Sequence, residues 1–425
     1  MPRNPLMVTL LFSLSMVVSC VEEFTAETLN FEDILVVEAK LTDKVEQQRI
    51  FLSRTSALLS DSSQNEVGAN VRLVDDAGNR ILFLESSSGV YTSATILELS
   101  HDRAYRLEIE TRDNLKYKSS WESLPERNDL SDMAFKKVSN DSGEEGVSVA
   151  VQIKSKSQSP SYFRYEYDET YQIIAPEYNG VTWDEVDYDY FGDGDGWEVT
   201  IKLEREESRI CYGKGESNDI ILASTELFDS DATGNFEFRF LSKDNYVISN
   251  RYSILVKQYS LHPDTYTFYN TIDSFSDFES VFHSIQPGAV ESNINSENGN
   301  TIAIGYFDLS SYSEKRLFLS YTDFFPDSPL PPYPVNCKRI FKPELYTEGF
   351  HATAIHGYIE VDGASNSPLM DGILSGQIGF YAQNPDYDQS SQDLYPERAP
   401  YLVKPLGCSD CRALGSNVRP DFWID

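Results

Sequence analysis

The sequence predicts a mainly β protein. An immunoglobulin-like or transthyretin-like N-terminal β-sandwich is expected first, then a larger β-sandwich domain with one helix, then a disulfide-stapled, loop-rich C-terminal region. Three observations predict this. Apolar and polar residues alternate with period two through many short segments. Turn-forming residues separate those segments at short intervals. Hydrophobic residues make up 40% of the 425 and aromatics 13%, which supplies real cores and argues against wholesale disorder.

Residues 1–19 come first. Arg3 gives a short positive end, and Leu6 to Val18 is apolar except for Thr9, Ser13 and Ser15. That run is shorter than the roughly 20 residues needed to span a bilayer, but it suits the core of a signal peptide. Ser19 supplies the small residue before a cut, and Cys20 follows at once. The arrangement resembles the bacterial lipoprotein box. The resemblance implies that Cys20 is the lipid-attachment residue, acylated on its sulfur and on its new amine, which suffices for stable anchoring. An ordinary signal peptide with an incidental cysteine is the plain alternative. No other apolar run of comparable length stands in the sequence to hold the chain at a membrane.

Residues 20–33 read as a tether. Val21-Glu22-Glu23 resembles the acidic tether that, in Bacteroidota, directs lipoproteins to the outer face of the outer membrane. The address expected is therefore a lipid-anchored protein of the outer membrane facing the cell exterior.

Residues 34–124 carry the first sandwich. In "VVEAKLTD", Val37, Ala39 and Leu41 alternate with polar neighbours, and in "YRLEIET" Tyr105, Leu107 and Ile109 do the same. "NVRLVDDAGNRILFLE" is two apolar arms around Asp75 to Asn79, a hairpin with Gly78 suited to a left-handed conformation. "PERNDLSDM", from Pro125, reads as a linker into the second domain, 125–425. Strands recur there in "VSVAVQI", "FRYEYDETYQII", "WEVTIKLE", "FEFRFL", "YSILVKQYSL" and "TIAIGYFDLSS".

One helix is expected near 263–275. Pro263 suits the first helical position, Asp264 complements the helix dipole, and Tyr269, Ile272 and Phe275 recur at helical spacing. From 326 to 425 the text is loop-rich. Within it, "GYIEVDG" and "GQIGFYAQ" read as one strand pair completing the second sandwich.

Charge and cysteine usage bound the partners. A formal charge of −33 repels phosphate backbones, and no Lys/Arg stripe reverses it locally, so nucleic acid is excluded as a partner. The lipid provides the membrane contact. Beyond Cys20, an even set remains: Cys211, Cys337, Cys408 and Cys411. In an exported chain these are disulfide candidates, and the three possible pairings stay open. Cys408 and Cys411 also form a CxxC, but a zinc site needs about four ligands and a redox site a βαβ context. Neither accompanies this "CSDC".

The segments in order resemble a Bacteroidota lipoprotein family known as domain of unknown function 4249. The matching pieces are the lipoprotein box, "ILVVEAKLTD", "GVYTS", "RYSILVKQYSLHPDTYTFYNTI", "QPGAVESNI", "IAIGYFDLSS", "CSDC" and the terminal "RPDFW". Tyr212 stands after Cys211 where the family usually has tryptophan, and "ESNI" where it tends to have a glycine before Asn-Ile. The resemblance implies an accessory lipoprotein encoded beside a TonB-dependent outer-membrane receptor. It assigns no catalytic residues.

Candidate chemistry is sparse. In "WDEVDYDYFGDGDGWE", Asp193, Asp195 and Gly196 fit the third, fifth and sixth positions of a calcium loop. The register then puts Phe191 and Lys202 where oxygen ligands are required, so the EF-hand fails. A solvated hairpin loop is the reading preferred, with calcium in another geometry as the alternative and no other metal or cofactor expected. Trp183 and Trp197 bracket the loop as candidate stacking faces for a ligand, against ordinary rim packing. No GxSxG, HExxH, P-loop or strand-borne GxGxxG is present. The expectation is therefore a non-catalytic accessory or ligand-binding partner of the receptor. A structural or adhesive surface protein is the first alternative, and a cation-dependent enzyme the second.

Overall fold

The computed structural model describes residues 34–425 apart from 56–63, 131, 155–159, 191–196, 205–206, 227–232, 277–291, 298–301, 345–350, 356–357, 363–367 and 388–398. The N-terminal strands are β1 (Leu35–Thr42), β2 (Arg49–Arg54), β3 (Gln64–Asn65), β4 (Asn70–Asp75), β5 (Arg80–Ser87), β6 (Val90–Ser93), β7 (Ala104–Glu110), β8 (Lys116–Ser119) and β9 (Glu122–Ser123). Their alternation is the expected one. Leu35, Val37, Ala39 and Leu41 of β1 are buried, while Glu38 and Lys40 between them face out. The β4–β5 turn closes as read: Asp75 Oδ1 accepts from the Ala77 and Asn79 amides at 3.0 and 2.7 Å, and Gly78 has φ +86°.

Next come β10 (Met133–Ser139), β11 (Glu145–Lys154), β12 (Tyr162–Ile174), β13 (Thr182–Tyr190), β14 (Trp197–Glu204), β15 (Ile210–Glu216), β16 (Ile221–Ser224), β17 (Thr233–Ser242) and β18 (Arg251–Leu261). The helix α1 (Pro263–Ser276) follows, with Pro263 and Asp264 in its first turn. Then come β19 (Ile294–Ser296) and the 18-residue β20 (Ala303–Ser320). The C-terminal region adds β21 (His351–Ile355), β22 (Tyr358–Asp362), β23 (Ile378–Gln383) and β24 (Tyr401–Pro405), with short helical turns. The protein is mainly β, with one dominant sheet, few helices and two disulfides holding the C-terminal region.

β20 is the spine. Ala303 to Ser310 pair with β1 in parallel, and Ser311 to Ser320 pair with β18 antiparallel. The dominant sheet therefore runs β15-β12-β18-β20-β1-β2-β6-β5-β4-β7-β8-β19. Parallel neighbours need a crossover connection, and here the crossover is the whole stretch between the first strand and β20. The sequence reading ended the first unit at 124. The structure returns Ile294, Ala303, Phe307 and Leu309 to that unit's core.

Side chains complete this return. Asn293 Nδ2 donates to the Phe307 carbonyl at 2.9 Å, and its Oδ1 accepts from the Phe307 amide at 2.8 Å. Ser292 Oγ donates to the Gly305 carbonyl at 2.7 Å. One asparagine side chain thus stands in for a strand neighbour, satisfying backbone groups that would otherwise lack partners.

The second unit is a sandwich. The β12–β18–β20 face packs on the three-stranded sheet β10-β11-β17 around a separate core. Tyr165 stacks there on Phe236 and Phe238 at 5.6 and 5.5 Å. The stretch read as a linker lies along these strands. Ser311 Oγ donates to the Pro125 carbonyl, and the Leu130 amide donates to Ser313 Oγ at 2.9 Å.

One pairing differs from the sequence reading. "GYIEVDG" and "GQIGFYAQ" do not pair with each other. β22 pairs with β21 and β14, whereas β23 pairs with β24. Local alternation identifies a strand but carries no record of its neighbour.

Candidate functional site

Period two divides β12 into two faces. Phe163, Tyr165 and Tyr167 enter the second core, and Arg164, Glu166 and Asp168 face the other way. On that outer face the register aligns Arg164 with Tyr259 of β18 and Tyr312 of β20. The neighbouring positions pair opposite charges or hydrogen-bonding groups. Lys257 Nζ lies 2.7 Å from Asp168, and the Tyr259 hydroxyl donates to Glu166 Oε2 at 2.8 Å.

Helix α1 covers one end of this face. It presents Tyr269 to Arg164, whose guanidinium carbon lies 4.9 Å from the Tyr269 ring centroid and 4.1 Å from that of Tyr259. A planar cation between two aromatic faces is electrostatically favoured. Arg164 is 4% exposed. Its charge is balanced by a hydrogen-bonded pair with Glu166 and by Asp308 at 4.0 Å. Asp308 in turn accepts from the Tyr269 hydroxyl at 2.9 Å and from Ser310. Arg164 Nε is buried without a hydrogen-bond partner.

Above this cluster lies a cavity of about 540 Å³. Val36 and Ile304 form one wall, on the outer face of the first unit. Phe268 and Ile272 of α1 form the other, Ile220 stands at a third side, and Arg164 and Glu166 lie at the charged end. Phe268 packs on Tyr306 with centroids 4.7 Å apart, which ties the helix to β20. A smaller, more polar hollow of about 350 Å³ adjoins it between Glu38, Lys40 and Phe51.

Electrostatics keep the cluster charged. Burial alone would raise the Glu166 carboxyl, but the Arg164 guanidinium and the hydrogen bonds from Tyr259 and Arg164 outweigh it and hold the pKa below the usual value. Burial also opposes the Arg164 charge, yet the acidic groups around it raise its pKa overall. Burial, reinforced by Glu166 and Asp308, pushes the Tyr259 and Tyr269 hydroxyls up. Tyr306 is pushed up to about 12, mainly by burial.

The sign of the pH dependence follows. Unfolded tyrosines lose their protons near pH ~10, before these folded ones do. Their contribution to stability is therefore complete below that pH and is lost as pH rises toward the folded values. For Glu166 the order is reversed, so its contribution is present above pH ~4.3 and falls as pH drops through its lowered folded pKa. Urea unfolding should show a steep loss of stability on the alkaline side, coincident with a cooperative rise in tyrosinate absorbance. Independent, non-cooperative tyrosine ionisation with no change in urea midpoint would contradict the buried cluster.

The arrangement is suited to binding. It combines apolar walls with a few fixed polar groups, and the carboxylates of Glu166 and Asp308 are already engaged by Arg164, Tyr259, Tyr269 and Ser310. Among the described residues, no group of three or more His, Cys, Asp and Glu is placed to hold a metal ion.

Of the residues singled out from sequence, those that the structure describes lie elsewhere. Cys20, Asp193 and Asp195 are outside the described residues. Trp197 opens β14, which pairs with β13 and β22. Trp183 packs edge-on against Phe380 and Tyr401 at 5.5 and 5.4 Å, and its indole N–H donates to the Ile378 carbonyl at 3.2 Å. The four cysteines form two disulfides, Cys211–Cys411 and Cys337–Cys408. Neither Trp183 nor any of the four disulfide cysteines is among the residues that line the cavity.

Sequence reasoning passed over Arg164 and its partners. A signal was present in "FRYEYDE", where charges occupy alternate positions of an aromatic strand. Its partner Asp308 is 144 positions away, beyond any local pattern.

No curated protein matches the chain. The family model described as Domain of unknown function (DUF4249) matches residues 21–316, a span that holds the whole cavity and stops short of Cys337, Cys408 and Cys411.

Proposed function

We propose, from the premise that the chain belongs to the DUF4249 family, that it is a lipid-anchored outer-membrane protein exposed on the cell surface. There it serves a TonB-dependent receptor as a non-catalytic accessory that holds a ligand during nutrient uptake. The Bacteroidota origin and the receptor partnership belong to the same proposal.

The observation that carries the reading is the apolar run ending at Ser19-Cys20, with the acidic Val21-Glu22-Glu23 after it. The family match begins at residue 21, directly after this cysteine, which supports a leader separate from the body of the protein. Among the described residues no helix is long and apolar enough to cross a membrane. The described cavity supports the ligand-holding half of the proposal.

The test uses the full chain expressed in its native host. Its N-terminal peptide, taken from purified outer membranes, should begin at Cys20 and carry the added mass of the acyl chains. After crosslinking, a tag beyond Asp425 should recover a TonB-dependent receptor. An unmodified Cys20 would remove the anchor. Recovery of no receptor, with the anchor intact, would favour the structural or adhesive role.

A further inference from the structure

We infer that the cavity beside α1 binds a small organic molecule that has an apolar body and is neutral or cationic. This deepens the ligand-holding reading above and rests on it.

Size and walls set the body of the ligand. The volume, about 540 Å³, falls within the range of about 300–1,000 Å³ typical of small-molecule sites. The apolar side chains reach in from four separate parts of the chain: Val36, Ile220, Phe268 with Ile272, and Ile304. Such a surface rewards a compact apolar ligand through burial and dispersion.

Arg164 is held from within the protein. Its Nη1 is taken by Glu166, and its faces are covered by Tyr259 and Tyr269. Its Nε has no partner, but it is closed to a water-sized molecule and so to the cavity, in a side chain 4% exposed.

Charge sets what the ligand cannot be. The cavity is lined by two cations, Lys40 and Arg164, against Glu38, Glu166 and Asp219. Lys40 Nζ already lies 2.7 Å from Glu38. Asp308 stands behind Arg164 as a second carboxylate on the same guanidinium. An entering carboxylate would meet excess negative charge while losing its own hydration. A neutral molecule meets no such barrier, and an ammonium group is attracted.

The experiment is a calorimetric titration of the full chain carrying Cys20→Ser, which keeps lipid and detergent out of the cell. Three probes share one ring system: acetylnaphthalene, its aminomethyl derivative, and naphthoate. Saturable one-to-one binding is expected for the first two, with naphthoate weaker by at least about tenfold. Ile304→Trp fills the cavity from a wall residue that is 41% exposed. It should weaken binding of acetylnaphthalene by at least about tenfold with the melting temperature unchanged. Ile272→Trp does the same from the opposite wall and serves if the first variant fails to fold.

Three results would overturn the inference: no saturable binding of any probe, naphthoate binding as tightly as acetylnaphthalene, or wild-type affinity in folded wall variants. The titration involves neither membrane nor receptor. Its failure leaves the anchoring and the receptor partnership standing, and their failure leaves a positive titration intact.

Discussion

Gly305→Ala is expected to lower the stability of the whole chain by more than about 4 kcal/mol, a loss seen only when a specific structural constraint is broken. Two features combine at this position. Its φ of +114° is a backbone conformation that residues with a Cβ rarely adopt. A Cβ built there would lie 1.9 Å from the Val37 carbonyl oxygen and 2.8 Å from its carbon. Those are main-chain atoms of β1, opposite Gly305 in the parallel ladder, so relief requires the two strands to separate. The same ladder joins the two cores and forms one wall of the cavity.

Gly78→Ala is the matched control. Gly78 also has positive φ, +86°, but no atom lies within 4 Å of a Cβ placed there. Only the left-handed backbone cost of roughly 1–2 kcal/mol applies. Urea unfolding of both variants discriminates between the two effects. Equal shifts in midpoint would show that the contact with Val37 is not what excludes a side chain at Gly305.

Removing the Cys211–Cys411 bridge by serine substitution at both positions is the second large effect. The cross-link joins residues 200 apart in sequence. By the chain-entropy account its loss frees roughly 5 kcal/mol of denatured-state entropy, with measured values often smaller. The bridge also fixes the C-terminal region to β15. The Cys411 amide donates to the Ser208 carbonyl at 2.8 Å, and Tyr212 and Ser416 exchange backbone hydrogen bonds at 2.8 and 3.1 Å. Trp423 then packs on Tyr212 and Phe318 at 4.9 and 5.9 Å. Cys337–Cys408, by contrast, spans 71 residues and lies wholly within the C-terminal region.

The double variant should therefore melt at lower temperature, and a protease should release the C-terminal region ahead of the rest. An unchanged melting temperature, with cleavage sites distributed as in the parent protein, would show that this bridge contributes little to either property.

Much of the architecture was legible because its cause is local. Val37, Ala39 and Leu41 alternate with polar residues because one face of β1 is buried. Pro263 and Asp264 mark the start of α1 because a helix leaves its first amides unpaired and its N-terminus positive. Asp75 and Gly78 mark a turn for reasons contained within five residues.

The rest had no local cause to read. Cys408 and Cys411 are three apart and bond different partners, because a helical turn at Leu406–Ser409 and a tight turn at Cys411–Ala413 point them separately. Asn293 reads as an ordinary loop residue until Phe307 is laid beside it. Arg164 reads as an exposed strand residue until α1 places Tyr269 on it and β20 brings Asp308.

The sequence by itself determined many of the strands, where the helix begins, and which residues those strands turn inward; it read 183–198 as a loop, where the structure extends β13 to Tyr190. Those properties follow from backbone geometry and the exclusion of apolar surface from water, both of which act over a few residues. Only the tertiary structure decided strand partners, disulfide pairing and the cavity. Each of these depends on distant residues brought together by close packing, and hydrophobic patterning is indifferent to which of many compatible surfaces it meets.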